Sequence, residues 1–151
     1  MRKAPKWISK QAVLAFHERL LAEHGGAPGL RDEGLPEAAL ASPRNRFAYE
    51  RVDILRLAAA YVYALTQNHP FADGNKRVAL AVAGVFMELN GFRLEASERD
   101  AAQATRALSS GEIDEAEFAT WLRTCSSKLH VARPRTPRKG TSTRRTTRKK
   151  K

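Results

Sequence analysis

The stretch His69-Pro70-Phe71-Ala72-Asp73-Gly74-Asn75-Lys76-Arg77 concentrates a histidine, a carboxylate, a carboxamide and two cations in nine residues. A connection that only joins two helices needs far less polar chemistry. His69 is the one group here that ordinarily titrates near neutrality, so it can take a proton from an attacking hydroxyl. Asp73 offers the hard oxygen ligand that magnesium accepts alongside phosphate. Gly74 lets the backbone come close to a ligand. Asn75, Lys76 and Arg77 open a helix, whose first N–H groups have no intrahelical partner and whose positive end favours an anion. Two cations in that first turn are unfavourable for the helix alone. They point to a bound anion, and polyphosphate is the natural candidate. Phe71 reads as an apolar peg that seats the loop on the core. No Gly-x-x-x-x-Gly-Lys-Ser/Thr occurs, so this is not a Walker A loop.

Two long apolar segments flank the loop and must position it. Asp53 is a good N-cap for a helix reaching Gln67 that is apolar nearly all round, as befits the middle of a bundle. Pro70 forbids its continuation. A second central helix spans 75–89, closed by Asn90-Gly91. Before them, Ser9 caps a helix over 10–24 in which Val13, Leu14, Phe16, Leu20 and Leu21 recur at helical spacing, stopped by Gly25-Gly26. His17 and His24 have no metal-type neighbours at ligand spacing and read as ordinary polar positions. Residues 25–34 form a glycine-rich loop, and 35–40 a short helix with Pro36 in its first turn and Ser42-Pro43 at its end. Arg44-Asn45-Arg46-Phe47-Ala48-Tyr49 alternates polar and apolar residues and reads as extended or hairpin-like. Phe92-Arg93-Leu94 is a short extended piece. Ser97 to Asp100 and Asp114 to Glu117 carry capping signals for helices to Leu108 and through Phe118, Trp121 and Leu122. Tyr61, Tyr63 and Trp121 read as core. The expected fold class is all-α, a single-domain helical bundle.

At 151 residues the chain suits one domain with one core, and 42% apolar residues suit a globular protein. No apolar run approaches the ~20 residues of a membrane span, and the basic start does not read as a signal peptide. The lone Cys125 excludes an internal disulfide and a cysteine-based zinc site, reads as a buried or half-buried small hydrophobe, and fits a reducing cytoplasm. The net charge of +11 is unevenly spread, because residues 131–151 hold ten Lys/Arg and no acid. Residues 1–130 hold seventeen Lys/Arg and sixteen Asp/Glu, so the body is nearly neutral. The domain is therefore 1–130, and 131–151 is expected to be a disordered basic tail. Ten cations can bind nucleic acid by counterion release, but the tail has no aromatic residue for stacking and no base-reading motif.

The nine-residue stretch resembles the Fic/Doc signature, His-x-Phe-x-(Asp/Glu)-Gly-Asn-x-Arg, and the similarity extends over residues 7–125. The resemblance implies a helical fold that binds ATP with Mg2+ and modifies a protein hydroxyl. It implies His69 as general base, Asp73 as the magnesium-side acid, and Gly74, Asn75, Lys76 and Arg77 as the phosphate-binding anion hole. Arg77 is counted with His69 and Asp73 in the catalytic set. Arg44, Asn45, Arg46 and Phe47 correspond to a short flap hairpin that holds the target polypeptide by main-chain pairing.

Two departures from the adenylylating branch matter. That branch has Gly where this chain has Lys76, and usually a second Arg where this chain has Leu80. Both changes agree with the Doc branch, whose members resemble kinases and phosphorylate a threonine of translation elongation factor Tu, arresting growth. The family's inhibitory helix, Ser/Thr-x-x-x-Glu-(Gly/Asn), is absent: Glu33-Gly34 is preceded four residues earlier by Gly29. An antitoxin protein supplied in trans is expected. The alternatives are nucleotidyl transfer by the same loop, and a non-catalytic nucleic-acid module using the tail.

Overall fold

The computed structural model describes residues 3–129. The element order is α1 (Lys10–His24), α2 (Leu35–Tyr49), α3 (Ile54–Asn68), α4 (Asn75–Leu89), β1 (Phe92–Leu94), α5 (Glu98–Ser110), α6 (Glu115–Thr124) and β2 (Ser126–Lys128). The fold is all-α with one small ribbon, as the sequence predicts. The expected disordered tail, 131–151, lies outside the described residues.

Helix α3 is the axis of the bundle. Ten of its fifteen residues are buried, and it packs against α2, α4, α5 and α6. Its Ala58, Ala59, Ala60 and Ala64 and the Ala79 and Ala83 of α4 are small enough to let helix axes approach closely. Larger side chains, Tyr61, Leu65, Phe86, Phe118 and Leu122, fill the space around them. The starts of α1, α3, α5 and α6 follow their sequence signals. The side chains of Ser9, Asp53 and Ser97 accept N–H groups of the first turn, and Asp114 with Glu117 forms a reciprocal capping box.

Three expectations are corrected. Residues 44–49 are not extended or hairpin-like: α2 runs unbroken through Pro43 to Tyr49. Pro43 removes one helical hydrogen bond, which ordinarily costs ~3 kcal/mol. Contacts on both sides of it offset that cost. Pro36, Ala39, Leu40 and Pro43 are buried, Phe47 meets the Trp7 ring edge-on at 5.9 Å, and Arg44 lies 5.2 Å above the same ring. Second, Tyr63 is 39% exposed and is not core, whereas Tyr61 is buried and its hydroxyl accepts the Ile8 N–H at 3.1 Å. Third, His17 is not an ordinary polar surface position, because it is 5% exposed. The strand partner of Phe92–Leu94 is Ser126–Lys128, antiparallel, with Arg93 opposite Ser127. A polar Ser-Ser-Lys sequence carries no strand signal of its own. Cys125 ends α6 half-buried, its thiol donating to the Trp121 carbonyl, and burial raises its pKa.

Candidate active site

The loop between α3 and α4 begins with strain. His69 has φ 47° and ψ 59°, and it has the one positive φ found at a non-glycine among the described residues. An L side chain in this left-handed region costs ~1–2 kcal/mol. Arg31 offsets that cost, its Nε donating to the His69 carbonyl at 2.9 Å and its Nη2 to the Asn68 carbonyl at 3.0 Å. The guanidinium thus caps open carbonyls at the negative end of α3.

The next residues are held as a short extended piece against the α1–α2 connection. Arg31 N–H donates to the Pro70 carbonyl (2.8 Å) and Ala72 N–H to the Gly29 carbonyl (3.0 Å), with Leu30 opposite Phe71. Phe71 is 2% exposed, the peg that its position predicts. Asn75 closes the turn, its Oδ1 accepting the Phe71 N–H and its Nδ2 donating to the Phe71 carbonyl, each at 3.0 Å. The Asn75 side chain is therefore committed to shaping the loop, and its contribution to an anion hole is its main-chain N–H.

Asp73 lies at the bottom of the turn. Its Oδ1 accepts the Gly74 N–H (2.9 Å) and its Oδ2 the Ala27 N–H (3.3 Å). Gly26 makes room for that carboxylate: a Cβ there would lie 2.9 Å from Asp73 Oδ2. Gly74, at φ 81°, starts α4 with no side-chain cap. The N–H groups of the first turn are thus left without a capping side chain. Lys76 and Arg77 are exposed and have no ion-pair partner among the described residues. His69 and Asp73 are exposed on the same loop. The site combines a positive helix end, two free cations, a histidine and one carboxylate.

This donor set fits a magnesium–polyphosphate ligand. No group of three His, Cys, Asp or Glu side chains gathers as a metal cluster among the described residues. A hard cation on Asp73 would therefore complete its shell with phosphate oxygens and water, the usual habit of magnesium.

The flap residues are placed elsewhere. Arg44, Asn45, Arg46 and Phe47 lie in the C-terminal half of α2, where helical main-chain groups are not free to pair with a peptide strand. Arg46 is engaged internally, Nη2 to Glu115 Oε2 at 2.7 Å and Nη1 to Glu50 Oε2 at 3.2 Å. A surface depression beside it is lined by Ser42, Asn45, Arg46 and Tyr49 and by no residue of the 69–77 loop. Sequence reasoning missed the residues that hold the loop, His17, Ala27 and Arg31, and the room that Gly26 leaves for Asp73. Only His17 left a trace, since it shares the apolar stripe of α1 with Val13 and Leu20.

A family model described as Fic/DOC family matches residues 7–87, from before α1 to near the end of α4. The chain is 35% identical over 117 residues to Protein kinase doc of Escherichia phage P1, covering 77% of this chain and 92% of that protein. It is 42% identical over 76 residues to Toxin Doc of Mycolicibacterium smegmatis, covering 48% of this chain and 57% of that protein. The family match spans the gripping residues of α1 and its following loop together with the strained histidine turn, and the chain belongs to the Fic/DOC family.

Proposed function

We propose that this protein is a Doc-type toxin that transfers the terminal phosphoryl group of ATP to a protein hydroxyl, a threonine of translation elongation factor Tu, and thereby arrests translation and growth. The observation that carries the reading is the uncapped N-terminus of α4 with Lys76 and Arg77 unpaired beside it, on the loop that also presents His69 and Asp73. Similarity to proteins named Protein kinase doc and Toxin Doc supports it.

In this reading the main-chain N–H groups of 75–77 and the side chains of Lys76 and Arg77 bind the phosphates. Asp73 holds Mg2+, which when bound neutralises phosphate charge. His69 takes the proton of the target hydroxyl as the new O–P bond forms and the bond to the ADP oxygen breaks. The protein contributes mainly by positioning and charge stabilisation, as in other phosphoryl transfers. The chain lacks the inhibitory helix motif, so a separate antitoxin restrains it. It works in the cytoplasm, consistent with its single cysteine. Among the described residues no helix is long and apolar enough to cross a membrane.

The test incubates the protein with bacterial extract, magnesium and ATP labelled at either the terminal or the innermost phosphate, with His69→Ala as control. Label passing only from the terminal phosphate to a band identified as elongation factor Tu, and lost in His69→Ala, is the expected result. Transfer from the innermost phosphate would replace the kinase reading with nucleotidyl transfer, the reaction that Lys76 and Leu80 disfavour. No transfer from either, with the elongation factor present, would favour a binding role.

A further inference from the structure

Helix α1 buries one titratable side chain that the proposed chemistry does not use. The ring of His17 lies flat on Phe71, centroids 3.8 Å apart and planes 10° from parallel. Its Nε2 is 2.8 Å from the main-chain oxygen of Asp73. A carbonyl oxygen only accepts, so Nε2 carries a hydrogen and donates it. The same ring lies beneath Gly74, where a Cβ would be 3.7 Å from His17 Cδ2.

The peptide plane between Asp73 and Gly74 is thus held at both ends. Its carbonyl is fixed by His17 and its N–H by Oδ1 of Asp73 itself. This plane needs an external hold. Glycine populates φ of either sign about equally, so Gly74 does little by itself to resist rotation of the preceding peptide. A rotated plane would release the Asp73 carboxylate from the Gly74 N–H and move the start of the free N–H row of α4.

We propose that His17 is a positioning residue: by donating Nε2–H to the Asp73 carbonyl it locks the Asp73–Gly74 peptide, and so aims the Asp73 carboxylate and the α4 N-terminus at a magnesium-bound nucleotide. The nucleotide part rests on the function proposed above, while the locking of the peptide does not.

Two variants separate donor from ring. His17→Phe keeps the stack on Phe71 and removes the donor, whereas His17→Gln keeps a side-chain N–H and removes the ring. Amide NMR spectra of the full chain are recorded for wild type and both variants, each titrated with Mg·ATP. His17→Phe is expected to keep the resonances of α3 and α6, to shift those of Asp73 and Gly74, and to bind Mg·ATP about tenfold more weakly, the scale of one hydrogen bond. His17→Gln is expected to recover most of the affinity. Wild-type-like binding and unmoved Asp73 and Gly74 amides in His17→Phe would overturn the proposal. So would His17→Gln binding more weakly than His17→Phe, because the ring and not the donor would then matter. Failure of the wild type to bind Mg·ATP would sink the nucleotide reading. The locking role would then be decided by the Asp73 and Gly74 amides, and their standing still in His17→Phe would overturn it.

Discussion

Arg31 and His69 are joined by a hydrogen bond from Nε to the His69 carbonyl, 2.9 Å long, across 38 residues of sequence. The contact holds the proposed base in a left-handed turn that its side chain disfavours. Arg31→Ala should therefore cut label transfer about tenfold or more, while the protein stays folded by circular dichroism. Arg31→Lys should recover little, since an ammonium cannot span two carbonyls as the guanidinium fork does. Equal transfer rates in all three would show that the clamp is dispensable.

The strain at His69 has a signature in stability. Glycine accepts φ 47° without penalty, so His69→Gly should be more stable than His69→Ala by ~1 kcal/mol. Both should be inactive in transfer. Urea unfolding of the pair measures the difference, and a His69→Ala protein at least as stable would contradict the turn geometry.

Gly26 is a steric requirement of the Asp73 carboxylate. Gly26→Ala places a Cβ 2.9 Å from Asp73 Oδ2 and should raise the magnesium concentration needed for half-maximal transfer several-fold. Gly25→Ala is the control, because it also sits at positive φ but meets nothing within 4 Å. A magnesium requirement that moves equally in both variants would assign the effect to backbone strain alone.

Glu115 is 7% exposed and faces two arginines, Arg46 Nη2 at 2.7 Å and Arg56 Nε at 3.6 Å. Breaking a buried ion pair by removing one partner costs 3–5 kcal/mol, and the arginines here keep 29% and 26% of their side-chain surface in water. Glu115→Ala should lose about 2 kcal/mol after that screening. Denaturant titration tests this, and a loss under 0.5 kcal/mol, the range of ordinary surface substitutions, would mean the network is incidental.

Burial raises the Tyr61 pKa above its ordinary value near 10, against a lowering by the Ile8 N–H bond. A group with a raised folded-state pKa contributes stability that is complete below its unfolded value and lost as pH rises through the folded one. Unfolding free energy should therefore fall above about pH 10. In Tyr61→Phe that part of the slope should vanish, so the variant should be about 1 kcal/mol less stable below about pH 10, for the lost acceptor, and the gap should narrow above it. Denaturant midpoints between pH 9 and 11 provide the check.

Much of the architecture was legible because it rests on local rules. Ser9, Asp53, Ser97 and Asp114 start helices where their capping chemistry says, and the apolar run from Ile54 belongs to the central helix. The loop 69–77 stood out because its polar density exceeds what a connection needs. Other features were not legible because partners distant in sequence decide them. Pro43 and the alternation after it argued for a break and an extended flap. Trp7 and Glu115 instead hold Phe47, Arg44 and Arg46 on a continuous helix. Ser126–Lys128 became a strand because Phe92–Leu94 offered it an edge.

The sequence by itself determined the helical class, the position of the loop and the chemical types that the loop presents. Those follow from residue identity, spacing and capping over a few residues. Tertiary structure alone decided how the loop is held. His17 comes from 56 residues away to bind the Asp73 carbonyl, Ala27 from 46 to bind its carboxylate, and Arg31 from 38 to bind His69. Hydrogen bonds act over about 3 Å, so contacts between segments so far apart in the chain exist only once packing of the bundle has brought them together.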